Sequence, residues 1–404
     1  MKKRYSRIIV IASVFVLMFF SFIVISLLFM ISCSSSDPLL DERFHTEEHL
    51  PEYDMQNQFG MLSAICETEE AYYFSATFGK YLWYVNKETG ECGKLCGNPQ
   101  CRHNHSACNA YVYSTLRSGI SLYDGRLYWI GEPDYTSSEY FIWSMKTDGT
   151  DRRKEQRIQE FVSDYNPMVR LHRGYIYTAS VIFDVEGASP TTTLHLTQSI
   201  LGKEDSTKTI FEVTREGEQI GYQYQIYRND LYLMYYYSGE LYIYKYDIEE
   251  EKTSCIYEAK DTSLKSYNLW VDETGLYWAE KDDTLTGYAI MKYDHQSQRT
   301  EVLIQGKDES QINMDIGYQK LIQIYIEDDL KCFIKNNQGE VLREERVRIG
   351  DEETDLSIDG GWPLEDCVLV SLTWQRLEGM KCALVRIPYD KNQEAGVLCQ
   401  IDVL

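Results

Sequence analysis

Six residues capable of metal binding or redox chemistry lie within one short stretch of this 404-residue chain. They are Cys92, Cys96, Cys101, His103, His105 and Cys108. The tightest part has the spacing Cys-x4-Cys-x-His-x4-Cys and runs from Cys96 to Cys108. Three thiolates and one imidazole form a ligand set that closes a tetrahedral zinc site, and soft thiolates also accept copper(I) or iron. The spacing therefore predicts a metal site made by Cys96, Cys101, His103 and Cys108.

The same cysteines also suit disulfide bonds, which form in proteins exposed to an oxidising compartment. Together with Cys92 they permit three pairings, one of which joins Cys96 to Cys108 and Cys92 to Cys101. Residues 97–99 read Gly-Asn-Pro and favour a turn. Both chemistries therefore predict a loop that is held in shape by cross-links. A site with four protein ligands keeps no position for a reacting water, so its expected role is structural.

The elements that must carry this loop recur along the chain. A phrase of aromatic and β-branched residues appears seven times, centred on residues 73, 128, 177, 232, 277, 325 and 372. A second strand-like run follows each phrase and ends in a polar turn, as residues 81–85 run into residues 86–90. Such side chains suit a half-buried pleated surface, and Asn, Asp and Gly suit tight turns. Each copy therefore predicts an antiparallel hairpin within a larger unit.

Four short strands in a repeat of about 50 residues are typical of one blade of a β-propeller. Residues 59–404 divide into seven such units of about 49 residues each. The sequence thus predicts an all-β propeller with seven four-stranded blades. Six or eight blades also fit, because the third copy is unclear and the sixth has few aromatic residues. Helical periodicity is almost absent after residue 33.

The first 33 residues have a different pattern and precede the propeller. Basic residues within 2–7 are followed by a 25-residue apolar run over 8–32, and Cys33 comes next. This order is similar to a bacterial lipoprotein signal, and that similarity implies lipidation at Cys33. The run is also long enough to remain as a membrane-spanning helix. Either anchor leaves the rest of the chain outside the cytoplasm. Residues 34–58 are polar and acidic, and we interpret them as a tether.

Composition limits the partners. The formal net charge is −23, which argues against nucleic acid and against anionic lipid, because both attract Lys and Arg. The chain contains 33 tyrosines, and they are densest between Tyr222 and Tyr237. Tyrosine at this frequency fits packing between blades, and it also fits a stacking surface for sugars or peptides.

The stretch from Leu95 to Tyr111 resembles a segment found in uncharacterised β-propeller lipoproteins of Gram-positive gut bacteria. All four positions of that family's cysteine and histidine pattern are present, and Cys92 and His105 lie outside it. The remainder of the chain is similar only in its repeat and its N-terminal anchor. The resemblance implies a propeller outside the cell and implies no activity.

The sequence therefore predicts a membrane-anchored, extracytoplasmic propeller that acts as a ligand-binding or protein-interaction module. Its expected partners are a glycan, a peptide or an envelope protein. Enzyme motifs such as Gly-x-Ser-x-Gly, a phosphate-binding glycine loop or His-Glu-x-x-His are absent. The alternative is a polysaccharide hydrolase or lyase whose carboxylates meet at one mouth of the channel. Neither a catalytic residue nor a ligand-binding residue is assigned, and the only expected cofactor is the structural zinc.

Overall fold

The computed structural model describes residues 48–50, 53–54, 64–76, 79–112, 119–131, 139–158, 168–184, 189–217, 220–260, 264–282, 287–306, 313–326, 329–349, 356–376 and 379–403. The predicted signal or anchor over 1–33, including Cys33, and most of the predicted tether over 34–58 lie outside these ranges. Within them, no helix is both long and apolar enough to span a bilayer.

Seven four-stranded antiparallel sheets make up the described chain, which confirms the predicted seven-bladed propeller. Blade 1 contains β1 (Ala64–Glu67), β2 (Ala71–Ser75), β3 (Leu82–Asn86) and β4 (Cys92–Lys94). Blade 2 contains β5 (Ser121–Tyr123), β6 (Arg126–Gly131), β7 (Phe141–Lys146) and β8 (Arg153–Arg157). Blade 3 contains β9 (Met168–His172), β10 (Tyr175–Asp184), β11 (Thr191–Ile200) and β12 (Lys203–Glu216).

The remaining four blades have the same order. Blade 4 contains β13 (Gly221–Tyr227), β14 (Asp230–Tyr237), β15 (Glu240–Asp247) and β16 (Lys252–Ala259). Blade 5 contains β17 (Leu264–Val271), β18 (Gly275–Asp282), β19 (Tyr288–Asp294) and β20 (Arg299–Gly306). Blade 6 contains β21 (Asn313–Gly317), β22 (Lys320–Ile326), β23 (Leu330–Asn336) and β24 (Val341–Val347). Blade 7 contains β25 (Leu356–Pro363), β26 (Cys367–Arg376), β27 (Gly379–Pro388) and β28 (Gly396–Asp402).

The aromatic phrases that revealed the repeat all lie on the second strand of their blade. Every residue of β2 is buried, and Tyr177 on β10 and Trp278 on β18 are fully buried. The second strand packs against neighbouring blades on both faces, so large apolar side chains are favoured at all its positions. The outer strands face solvent on one side and are more polar, as β12 shows.

The ring closes between blade 7 and blade 1 through side chains. Each sheet is built from consecutive strands, and no strand of one blade is inserted into another. Trp362 and Leu369 of blade 7 pack with Phe74 and Val85 of blade 1 in a single buried cluster. No backbone hydrogen bond links the described residues of these two blades.

The two faces of the ring carry connections of different length. The turns after the first and third strand of each blade contain two to seven residues, and we call their side the turn face. The connections on the opposite side, the loop face, include the three longest, which are 95–120, 132–140 and 158–167. All three begin or end at blade 2, so the loop face is most elaborated there.

Part of the predicted tether contacts the turn face. Asp54 is buried and receives two hydrogen bonds from the Arg173 guanidinium, at 2.6 Å to Oδ1 and 2.9 Å to Oδ2. Arg173 also donates to the Asn229 side chain at 2.6 Å. The Tyr53 ring lies edge-on to Tyr123, with ring centroids 5.7 Å apart. Residues 53–54 thus contact blades 2 and 3 at this face, and Arg173 extends the network to blade 4.

Acid should weaken this contact, because its buried groups resist protonation. Burial lowers the pKa of His172 to about 4 even though Asp54 lies close by. Burial opposes ionisation of Asp54, but hydrogen bonds from His49 and Arg173 keep the pKa of this carboxyl well below its usual range. Below pH 6.5 the His172 side chain binds a proton in the unfolded state, whereas in the folded state it binds that proton only near pH 4. The contribution of neutral His172 to the free energy of unfolding is therefore fully present above pH 6.5, and it is lost as the pH falls towards 4.

We expect His172 to account for a loss of about 3 kcal/mol in unfolding free energy between pH 7 and pH 4. Urea unfolding at a series of pH values measures this slope. The His172→Gln variant replaces the donor that bonds the Arg228 carbonyl at 2.6 Å but cannot be protonated. Its pH profile should be flatter over this range, and an unchanged slope would remove His172 as the cause. Asp54 adds a further loss below about pH 4.

Candidate functional site

The cysteine and histidine residues singled out from the sequence lie on an excursion from the outer edge of blade 1. Both ends of the excursion are paired to the start of β3. The Leu95 amide donates to the Leu82 carbonyl at 2.9 Å, and the Leu82 amide donates to the Ala110 carbonyl at 2.8 Å. Residues 96–109 therefore form a closed loop with a fixed base, which we call the cysteine loop.

Four predicted ligands meet at one point of the cysteine loop. Single ligand atoms of Cys96, Cys101, His103 and Cys108 all lie within 4.8 Å of one another. The distance from His103 Nδ1 to Cys108 Sγ is 3.5 Å. In a tetrahedral zinc site the nitrogen-to-sulfur edge measures about 3.5 Å, given zinc bonds of about 2.0 and 2.3 Å. The described geometry thus fits the predicted ligand set.

Turn geometry in the backbone produces this convergence. The Cys101 amide donates to the Asn98 carbonyl at 3.0 Å, and the Cys108 amide donates to the His105 carbonyl at 3.1 Å. His103 has φ of 52°, a left-handed conformation that reverses the chain between the two turns. Lys94 donates to the His103 carbonyl at 2.8 Å and steadies that conformation.

The thiols of the cluster differ in acidity. Burial opposes ionisation of Cys96, but hydrogen bonds from the backbone amides of Asn98 and Asn109 keep its pKa below the ordinary value. Burial and the neighbouring Cys101 and Cys96 thiols raise the pKa of Cys108 to about 12. Three thiols this close repel one another when ionised, so a cation in their midst is the natural way to stabilise them as thiolates.

The cysteine loop is also attached to blade 2. The Gly97 amide donates to the Gly149 carbonyl at 3.0 Å, and the Asn109 side chain donates to the same oxygen at 2.9 Å. Arg152 reaches the Tyr111 carbonyl at 2.7 Å. The cluster therefore fixes a loop that links the edge of blade 1 to the β7–β8 turn of blade 2.

Close backbone approach makes Gly149 essential to that link. A Cβ added at Gly149 would lie 2.6 Å from the Gly97 nitrogen, and the residue has φ of +77°. We expect Gly149→Ala to separate the cysteine loop from blade 2, because the clash is with backbone that cannot move aside.

Gly125 provides the matched control for this substitution. It has φ of +68° in the β5–β6 turn of the same blade, and no atom lies within 4 Å of its added Cβ. Gly125→Ala should therefore show only the strain of the left-handed conformation. Hydrogen exchange of the Gly97 amide measures the difference. Equal exchange in the two variants would show that the close approach does not hold the loop.

Other residues noted in the sequence take different positions. His105 Nε2 is 3.6 Å from Cys101 Sγ, but His105 is exposed and is not part of the four-atom group. Cys92 lies away from the cluster and packs at the junction with blade 7. All ten described cysteines carry free thiols. Tyr224, Tyr232 and Tyr235 are fully buried, which favours packing over ligand stacking for this part of the tyrosine-rich segment.

Sequence reasoning missed the buried group around Asp54. Asp54 precedes His172 and Arg173 by more than 110 positions along the chain and shares no motif with them. A buried arginine and aspartate pair leaves no periodic signal, so only the fold brings them together.

The cluster is suited to a structural role. It offers four protein ligands and no open position. In the part of the chain that the structure describes, no other group of three or more His, Cys, Asp or Glu residues places its ligand atoms this close together.

Comparison with known proteins agrees with the fold. No protein-family model matches the chain, and no curated protein matches it. A prolyl endopeptidase structure is similar, with a TM-score of 0.55 and 13% identity, over 93% of this chain and 54% of that chain. An oligogalacturonate lyase from Vibrio parahaemolyticus is similar, with a TM-score of 0.52 and 8% identity, over 86% of this chain and 93% of that chain. The chain thus spans about half the length of the endopeptidase, and at such identities the likeness concerns the fold alone.

The fold and the site together define a seven-bladed β-propeller with a peripheral cluster of three cysteines and one histidine.

Proposed function

We propose that this chain is an extracytoplasmic, membrane-anchored β-propeller that binds a glycan, a peptide or an envelope protein through its loop face. The supporting observation is that the two faces are used differently. Residues 53–54 bind the turn face through Arg173, whereas two long connections, 132–140 and 158–167, arise on the loop face at blade 2. Loops carried by a rigid scaffold are where binding residues concentrate. The contact of residues 53–54 occupies part of the turn face, and we assign the partner to the loop face.

Two buried carboxylates are used by the fold itself. Asp54 is engaged by Arg173, and Glu280 accepts hydrogen bonds from Trp278 at 2.7 Å and Tyr257 at 3.1 Å. We therefore assign both carboxylates to stability and not to catalysis. The negative net charge of −23 further favours a partner other than nucleic acid.

We infer that the metal of the cysteine loop is zinc with a structural role. Zinc prefers a closed tetrahedral set of this composition, and the 3.5 Å edge between His103 Nδ1 and Cys108 Sγ fits it. Protein purified without chelator should contain one zinc per chain. The cluster thiols should resist alkylation until a chelator is added. If these cysteines lack both metal and free thiols after denaturation, the disulfide alternative is the correct one.

Site-specific photo-cross-linking in intact cells tests the binding function. A benzophenone side chain at Ser189, an exposed serine in the β10–β11 connection of the loop face, should cross-link to a partner. Ser297 is the matched control, because it is an exposed serine in the β19–β20 turn of the turn face. Cross-links from Ser297 and none from Ser189 would overturn the assignment of the faces. A glycan array probed with the detergent-solubilised full chain tests for glycan partners that cross-linking would not detect.

The second candidate is a polysaccharide hydrolase or lyase. It is favoured by the similarity to oligogalacturonate lyase, which extends over 93% of that enzyme. Elimination in oligogalacturonate creates an unsaturated product that absorbs ultraviolet light. Appearance of that product with the purified chain, and its loss in variants of the loop face, would replace the binding function with a lyase function.

A further inference from the structure

Two cysteines meet at the seam where the ring closes. Cys92 lies on β4, the outermost strand of blade 1, and Cys399 lies on β28, the outermost strand of blade 7. Both belong to the cluster of side chains that joins these blades. They pack in one cluster at this seam, and each thiol is the group that most strongly affects the ionisation of the other. The two residues are separated by 307 positions along the chain, the difference between 399 and 92.

Among the residues that the structure describes, no covalent bond and no backbone hydrogen bond crosses this seam. No strand is shared between blades 1 and 7, and their described residues exchange no backbone hydrogen bond. A covalent link here would close a loop that includes nearly the entire propeller. Cross-links across long loops constrain the unfolded chain most strongly.

We propose that Cys92 and Cys399 form a reversible disulfide that fastens the first blade of the propeller to the last. A disulfide requires two cysteines that lie close together in the fold, and Cys92 and Cys399 lie on the outermost strands of adjacent blades and pack within a single cluster. The bridge forms outside the cytoplasm, where the proposed function places the propeller. It does not depend on which ligand the loop face binds.

The two thiols have complementary reactivity. Cys92 is half-buried, whereas Cys399 is buried. The neighbouring Cys399 thiol holds the pKa of Cys92 below its ordinary value, and the Cys92 thiol together with burial raises the pKa of Cys399. Cys92 is thus the thiol that is both reachable and more easily ionised, and it reacts first.

The oxidant is a small-molecule disulfide, and the exchange is balanced. The Cys92 thiolate attacks one sulfur of the oxidant, forming a mixed disulfide and expelling one thiolate. The Cys399 sulfur then attacks Cys92 Sγ, forming the Cys92–Cys399 bond and expelling the second thiolate. Two electrons pass from the cysteines to the oxidant, and the two cysteine protons leave on the two released thiols.

Cys382 is the internal competitor. It is buried in the same cluster, and its Sγ lies 3.5 Å from Ser371 Oγ. Since Cys382 and Cys399 belong to adjacent strands of blade 7, a bridge between them would remain within one blade. Such a bridge would not join blade 7 to blade 1. The proposal therefore depends on whether Cys399 is bonded to Cys92 or to Cys382.

Peptide mapping of the full chain tests the proposal without any substitution. The protein is treated with oxidised glutathione in the presence of zinc, alkylated and digested without reductant. A cross-linked peptide pair containing Cys92 and Cys399 is expected. It should be absent in Cys92→Ser and Cys399→Ser and retained in Cys382→Ser. Alkylated Cys92, with Cys399 joined to Cys382 or to nothing, would overturn the proposal.

The melting temperature provides a second readout. Oxidation should raise the Tm of the wild-type protein and of Cys382→Ser by several degrees, because the unfolded chain is constrained. Cys92→Ser should show the same Tm under oxidising and reducing conditions. An equal redox-dependent shift in Cys92→Ser and the wild-type protein would assign the effect to other cysteines and contradict the bridge.

Discussion

Replacing Arg173 with methionine is expected to lower the free energy of unfolding by about 3–5 kcal/mol. The Asp54 side chain is completely buried, and Arg173 supplies two of its hydrogen bonds, at 2.6 and 2.9 Å. Methionine fills similar volume but leaves this carboxylate without its cationic partner in a site that water does not reach. The cost is therefore that of a buried unpaired charge, which greatly exceeds the worth of an exposed ion pair.

Chemical denaturation followed by tryptophan fluorescence measures this effect globally, and hydrogen exchange at the Asp54 amide measures it locally. That amide donates to the Leu50 carbonyl at 2.7 Å, so it reports whether residues 48–54 remain bound. Arg157→Met is the matched control, because Arg157 pairs with Glu139 at 2.8 Å on the surface, where both side chains are about half exposed. The control should unfold like the wild-type protein.

A double substitution separates the charge from the packing. Asp54→Asn combined with Arg173→Met removes both buried charges, and it should recover part of the stability lost in Arg173→Met alone. Additive losses in the two single variants would mean that Asp54 and Arg173 do not act as a pair. The argument for a fixed N-terminal attachment on the turn face would then fail.

The sequence predicted the ring well because one physical requirement repeats in every blade. The second strand is buried on both sides, so its aromatic and aliphatic residues recur with the period of the blade, as in β2 and β14. Blade 3 was the least clear copy, yet β12 is its 14-residue outer strand. The residues of β12 are mostly polar and exposed, so they lack the pattern that burial imposes. Even a strand of this length was therefore hard to recognise in the sequence.

The candidate site was predictable where its residues are neighbours in the chain. Cys96, Cys101, His103 and Cys108 lie within 13 positions, and turn-forming residues between them bring the ligands to one point. Contacts between distant segments were not predictable. The attachment of Asp54 to Arg173 and the meeting of Cys92 with Cys399 each depend on where the closed ring places residues that are far apart in sequence.

Removing the proposed metal from the cysteine loop is the second change with a large expected effect, and the damage should remain local. Structural zinc contributes about 10–16 kcal/mol of apparent binding energy in small domains that fold around it. Here the blades have their own cores, whereas the small buried cluster at the cysteine loop contains only Cys108 together with Ala110 and Tyr111, which follow the loop. Without metal the loop should therefore unfold while the propeller persists.

His103→Ala and His105→Ala form the decisive pair for that prediction. His103 belongs to the four-atom group and His105 does not, so His103→Ala should weaken zinc binding more than about a hundredfold, beyond the usual cost of losing an outer-shell partner. Trypsin should then cut after the exposed Arg102, and His105→Ala should stay intact. Cys255→Ser is a further control, because Cys255 is exposed and is not one of the four ligand residues. Equal cleavage of the two histidine variants, or zinc retained in His103→Ala, would show that another set of residues binds the metal.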